Sequence, residues 1–170
     1  MSAGRDRAAR LIATVGGIGY LRPAPGTWGS LAALPMAWVL HQLGGFPLLF
    51  LATLLAALVG NWATHVMTKD SDDHDPSEIV IDEVAGQFLA LWAVSAPAWA
   101  HGLDISALWP GWIAAFLLFR LFDIIKPGPV GWADRRGDPL GVMLDDLIAG
   151  IFAAIGVAAL AFLSHGVLGL

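Results

Sequence analysis

Long apolar stretches separated by short polar connections dominate the chain. After the basic residues Arg5, Arg7 and Arg10, the run from Leu11 to Leu21 is apolar but broken by Gly16, Gly17 and Gly19. It is too short to cross a bilayer, which takes about 20 apolar residues, so it is expected to be an interfacial or re-entrant piece. Arg22-Pro-Ala-Pro-Gly-Thr-Trp-Gly-Ser30 reads as a turn-rich loop, and Ser30 then opens an apolar helix to about Leu43. Gly44-Gly45 supplies a reversal, and a second helix runs from Phe46 to about His65. The polar loop Lys69 to Glu78 follows. A third helix, with Ser77 as its expected N-cap, continues to about Ala100. A fourth spans roughly Ala107 to Phe122 and ends in the charged stretch Arg120 to Asp138. The fifth runs from Leu144 to about Leu163. Two of these helices are short, so the pattern predicts four or five apolar helices plus an N-terminal interfacial segment.

The distribution of cations orients this bundle. All nine Lys and Arg fall at Arg5 to Arg22, at Lys69 and at Arg120 to Arg136. The alternate connections, Gly44-Gly45, His101 to Ser106 and Ser164 to Leu170, contain none. Cytoplasmic loops carry the excess of Lys and Arg, so the first group is expected to face the cytoplasm. Trp99, Trp109 and Trp112 then fall near the outer interface, and Trp28, Trp62 and Trp132 near the inner one.

Composition narrows the class. The sequence is 57% hydrophobic and 14% charged, against about 25% charged in a soluble domain. A length of 170 residues suits one domain, 1–170, and the expected fold class is an all-α polytopic membrane bundle. A net charge of -5 argues against a nucleic-acid partner. No cysteine is present, which excludes disulfides, thiolate metal sites and thiol phosphatase chemistry. No small-residue cleavage site follows the N-terminal apolar run, so no signal peptide is expected.

Three polar stretches share the expected cytoplasmic side. Glu78, Asp82 and Glu83 stand at the mouth of the third helix, where carboxylates beside hydrocarbon need a compensating partner. Arg120, Asp123 and Lys126 are spaced three apart and share a helix face, and Pro127 must end that helix with Lys126 in its last turn. Asp145 and Asp146 are expected at the start of the fifth helix, near the positive end of its dipole. Capping needs only one of them. An all-oxygen set suits a hard cation, Mg²⁺ first, held by one or two carboxylates with substrate phosphate. Arg120 and Lys126 suit the phosphate oxygens. The loop offers Arg22, Thr27 and Ser30 to the same anion. Together these point to metal-assisted phosphoryl chemistry, with Glu78, Asp82, Glu83, Asp145 and Asp146 as candidate metal ligands. Asp123 or Glu78 is a candidate base for direct water attack; an aspartyl-phosphate on Asp82 or Asp123 is the mechanistic rival.

Other chemistries fit less well. The Asp-x-Asp patterns at Asp70 to Asp72 and Asp73 to Asp75 sit in a polar loop rather than at a strand end. His74 in that loop, and His41, His65, His101 and His165 at helix ends, read as solvated or interfacial. An ion or proton transporter is the alternative class, because intramembrane carboxylates mark ion pathways. It requires an ionisable residue midway along a helix.

Four blocks carry a family resemblance. Ala24-Pro-Gly-Thr-Trp-Gly-Ser30, Ile79-Val-Ile-Asp-Glu83, Phe119-Arg-Leu-Phe-Asp-Ile-Ile-Lys-Pro-Gly-Pro129 and Gly141-Val-Met-Leu-Asp-Asp-Leu-Ile-Ala-Gly150 resemble, in order, the signature blocks of the phosphatidylglycerophosphatase A family. The resemblance covers about Leu11 to Leu163. At Arg136-Gly-Asp-Pro-Leu-Gly141 the chain departs from the glycine pair usual in the family. The resemblance implies a multi-pass bacterial inner-membrane enzyme facing the cytoplasm. It would hydrolyse phosphatidylglycerophosphate to phosphatidylglycerol and phosphate, dependent on Mg²⁺. It also implies functional roles for Asp82, Glu83, Asp123, Lys126, Asp145 and Asp146, with Arg120 beside them.

Overall fold

In the computed structural model, which describes residues 3–164 except 72 and 74, the described residues are helical and contain no strand. The Asp72 and His74 members of the acidic loop, and His165, lie outside the described residues. Helix α1 (Ala3–Ala13) precedes a 3₁₀ turn (Ile18–Tyr20). Then come α2 (Pro25–Thr68), α3 (Ile81–Ala90), α4 (Trp92–His101), a second 3₁₀ turn (Ile105–Leu108), α5 (Trp109–Ile125), α6 (Pro129–Asp134) and α7 (Pro139–Phe162).

Helix α2 is two legs joined at a reversal. Gly45 has φ 63° and ψ -159°, a conformation that only glycine adopts without strain. Pro47 lies two residues on, where its fixed φ suits a helix start. The legs fold back so that Pro35, Met36 and Val39 face Ala52, Leu55 and Ala56 across an apolar groove floored by Ile81, Val84 and Phe88. Three helices are long and apolar enough to cross a membrane: α2, the segment Ile105–Ile125, and α7. With α2 doubled and α3 running on into α4 through the single residue Leu91, five apolar segments match the five read from the sequence.

Small residues fill the helix contacts. Ala33, Ala37, Ala90, Ala98, Ala115, Ala149 and Ala153 are fully buried, while Leu43, Leu58, Ile124 and Phe162 are at least two-thirds exposed. That inversion is expected where hydrocarbon is the solvent and close backbone packing holds helices together.

Several boundaries differ from expectation. The N-terminal helix is α1, made from the polar opening residues, and it ends before Gly16; it packs through Ala9 and Ala13 against Ala63, Val66 and Ile79. The loop after Arg22 is shorter than expected, because Pro25 already begins α2 behind the left-handed Ala24. Ser77 does not cap α3. The helix starts at Ile81, and Val80 instead donates its N–H to the Ala13 carbonyl at 2.9 Å. Helix α7 starts five residues early, because Asp138 accepts the Gly141 N–H at 2.7 Å and Pro139 takes the first turn. Asp145 and Asp146 therefore lie in its second turn, beyond the reach of its terminal dipole. Lys126 is not in the last turn of α5 but just past it, at φ 50° and ψ 54°.

Candidate active site

A polar cavity of about 250 Å³ opens where the ends of α2, α3, α5 and α7 meet. Asp75, Asp82, Glu83, Arg120, Asp123, Lys126, Asp145 and Asp146 line it. Three sequence blocks far apart in the chain thus converge, as do the backbone at Ala24 to Gly26 and Ser77.

Close helix crossing creates the convergence. Gly86 on α3 packs against the carbonyl of Asp146 and the ring of Phe119, and Gly150 on α7 packs against the carbonyl of Gly86. Any side chain at either position would hold α3 away from α7. On the other flank, Gly26 lets the Glu83 carboxylate and Arg120 approach the first turn of α2, and Gly29 does the same for Val80.

The carboxylates are deeply set. Asp82, Asp145 and Asp146 are 5%, 5% and 3% exposed, and Asp123 is 9% exposed. Asp82 accepts the Glu83 N–H at 2.9 Å, and Asp145 accepts the Asp146 N–H at 3.0 Å. Arg120 Nη1 pairs with Glu83, with Asp123 at 3.1 Å, and with the Ser30 hydroxyl at 3.3 Å. Ser30 itself is fully buried, 2.9 Å from the Gly26 carbonyl and 3.1 Å from Glu83. It braces the Glu83–Arg120 pair. Lys126 donates to Asp145 at 2.7 Å and also pairs with Asp134. Burial works against its charge, but the hydrogen bonds and charges of Asp134 and Asp145 outweigh that and hold the ammonium above its ordinary value.

Glu83, Asp123 and Asp146 each bring one carboxylate oxygen to within 4.8 Å of the others, close enough to hold a metal ion. Asp146 Oδ1 is buried without a hydrogen-bond partner among the described residues. Neither Asp82 nor Asp146 has a cationic side chain within 4.0 Å among them. A buried carboxylate without a cation costs several kcal/mol, roughly, so both call for a positive partner.

Not every residue singled out in the sequence reaches the cavity. Glu78 lies in the turn before α3, its backbone against Gly19, and does not line the cavity, because the helix that would have aligned it with Asp82 begins three residues later. Arg22 is exposed and donates to the Gly19 carbonyl at 3.3 Å, and Thr27 sits in the first turn of α2 without lining the cavity. The sequence alone assigns Asp75 to a solvated polar loop, whereas it lines the cavity, and it does not single out Asp134, Gly86 or Gly150. Gly150 ends the fourth signature block and Gly86 lies three residues past the second, but only the packing gives them a role.

Similarity to known proteins extends over most of the chain. The family model of phosphatidylglycerophosphatase A matches residues 11–161. The chain is similar to "Phosphatidylglycerophosphatase A" of Haemophilus influenzae, 38% identical over 154 residues, covering 89% of this chain and 88% of that protein. It is 35% identical over 157 residues to "Phosphatidylglycerophosphatase A" of Escherichia coli, covering 91% and 83%. A Bacteroides thetaiotaomicron relative, 36% identical over 152 residues and covering 87% and 90%, carries the provisional name phosphatidylinositol-3-phosphatase. No solved structure matches the chain. With the four blocks meeting at one cavity and a family match across nearly the whole length, the chain belongs to the phosphatidylglycerophosphatase A family.

Proposed function

We propose that this chain is a Mg²⁺-dependent lipid phosphatase that converts phosphatidylglycerophosphate to phosphatidylglycerol and phosphate, with its cavity facing the cytoplasm from the bacterial inner membrane. The observation that carries the reading is the charge of the cavity. Six carboxylates and two cations line it, a formal excess of four negative charges. A phosphate monoester is itself an anion and does not enter such a cavity unless a cation enters too. The donor set fits that cation: oxygen ligands only, three of them closely grouped, and one buried oxygen on Asp146 with no other partner among the described residues. Glu83, Asp123 and Asp146 would hold Mg²⁺. When bound, the ion supplies positive charge that polarises the phosphoryl group.

The residues of the chain do the rest. Arg120 is fixed by Glu83, Asp123 and Ser30, so its guanidinium is pre-organised for a phosphoryl oxygen. Lys126 at the rim supplies a second positive charge to the same group. Asp82 is buried, lines the cavity and lacks a cationic partner among the described residues, so it suits a proton-accepting role toward the attacking water. Asp123 is already engaged by Arg120 at 3.1 Å. Apolar helix faces around the cavity match a substrate that stays in the bilayer and presents its headgroup. The cation distribution supports the cytoplasmic orientation. The transporter alternative loses support, since beyond the cavity the apolar legs carry no Asp, Glu, Lys or Arg to continue a path.

The headgroup is tested by measuring phosphate release in detergent from phosphatidylglycerophosphate and from phosphatidylinositol 3-phosphate. The proposal expects a kcat/KM for the first at least tenfold higher. Equal rates, or preference for the inositol lipid, would contradict it.

A further inference from the structure

Lys126 is claimed twice. Its ammonium pairs with Asp145 inside the cavity and with Asp134 at the end of α6, so in the resting protein it has no unshared charge to offer. A phosphate can recruit it only by displacing one partner. We propose that Asp134 is that partner: a positioning residue that parks Lys126 at the rim and competes with the phosphate for it. This inference rests on the reading of Lys126 as a phosphate ligand.

Burial decides which pair yields. The Asp145 side chain is 8% exposed, and stripped of its cation it would be a buried, uncompensated carboxylate. The Asp134 side chain is 37% exposed and regains water when it lets go. Exchange of Asp134 for a phosphate oxygen therefore costs little, and exchange of Asp145 costs much. The exchange also needs no helix motion. Gly131 tucks α6 beneath the Lys126 carbonyl, where an added Cβ would stand 2.6 Å from the oxygen, so α6 is tied to the end of α5. The left-handed backbone of Lys126 sets its side chain off the α5 face that carries Arg120 and Asp123. Only the side-chain contact has to change. The same competition favours release of the product phosphate, since Asp134 waits to reclaim the ammonium.

The sign of the effect distinguishes a competitor from a structural tie. Removing the Asp134 charge frees Lys126, so D134N should bind inorganic phosphate about two- to five-fold more tightly, read as a lower Ki against the lipid substrate, with KM lowered in parallel. D134A should do the same, and D134E should keep the wild-type Ki. A Ki unchanged or raised in the neutral variants overturns the proposal, and so does failure of both to fold. K126A separates this from the underlying reading. If K126A weakens phosphate binding while D134N does not tighten it, only the competition is wrong; if K126A leaves the Ki unchanged, Lys126 is not a phosphate ligand at all.

Discussion

Replacing Gly86 with alanine is the sharpest probe of how the helices build the cavity. A Cβ at this position would stand 2.6 Å from the Asp146 carbonyl oxygen and 2.6 and 2.8 Å from the Phe119 ring, where ordinary contacts begin at 3.4 Å. All three atoms belong to neighbouring helices, α7 and α5, and the carbonyl oxygen is backbone, which cannot rotate aside. Relief requires α3 and α7 to separate by roughly 1 Å, at a stability cost of about 1–3 kcal/mol for overpacking. The same displacement carries Asp82 and Glu83 away from Asp145 and Asp146. A 1 Å error in a positioned site costs about 10²-fold in rate, far beyond what the stability loss alone would remove from a folded sample. The expected outcome is that G86A accumulates in membranes, melts at a lower temperature, and loses about 10²-fold in kcat/KM for phosphate release. Gly4, which has no atom within 4 Å of an added Cβ, provides the control, and G4A should match wild type. If G86A retains activity within about twofold, the α3–α7 contact does not set the carboxylate spacing.

Two further outcomes follow from the placement of acidic residues. Glu78 stands outside the cavity, so E78Q should keep kcat and KM within about twofold of wild type, because surface changes away from a site are close to neutral; a large loss would mean that the turn before α3 carries substrate. Asp138, the cap of α7, is held below its ordinary carboxylate value by Arg136 and the Gly141 N–H. A depressed value means that its contribution is present at neutral pH and lost as pH falls through the folded value, below the ordinary carboxylate range. Amide exchange in the first turn of α7, corrected for the intrinsic pH dependence, should show weaker protection below that range in wild type and no such step in D138N.

The apolar segments were legible because hydrocarbon demands long uninterrupted runs, and Gly44-Gly45 was legible as a reversal because its backbone leaves few alternatives. The members of the acidic and basic blocks were legible too, since charges beside apolar helices stand out. Their depth was not. The apolar run alone starts the fifth helix at Leu144, where Asp145 and Asp146 resemble caps; the helix-start signal Asp138-Pro139 moves the start back and makes them buried groups. Ser30 looked like an offered hydroxyl, but its neighbours across α3 and α5 turn it into a brace for Glu83 and Arg120. Asp134 gave no signal, because α6 is a short helix in a stretch whose glycines and prolines read as loop. Helical spacing groups Glu78 with Asp82, and the backbone breaks that spacing at Val80.

The central claim is that the cavity works only when a cation joins Glu83, Asp123 and Asp146. Phosphate release from phosphatidylglycerophosphate by detergent-purified protein tests it most directly, measured after chelation, after Mg²⁺ is restored, and in D146N. The account predicts loss of activity in chelator, recovery with Mg²⁺, and a D146N enzyme that is folded yet needs far more Mg²⁺ for any activity. Full turnover in chelator, or wild-type Mg²⁺ dependence in D146N, would contradict it.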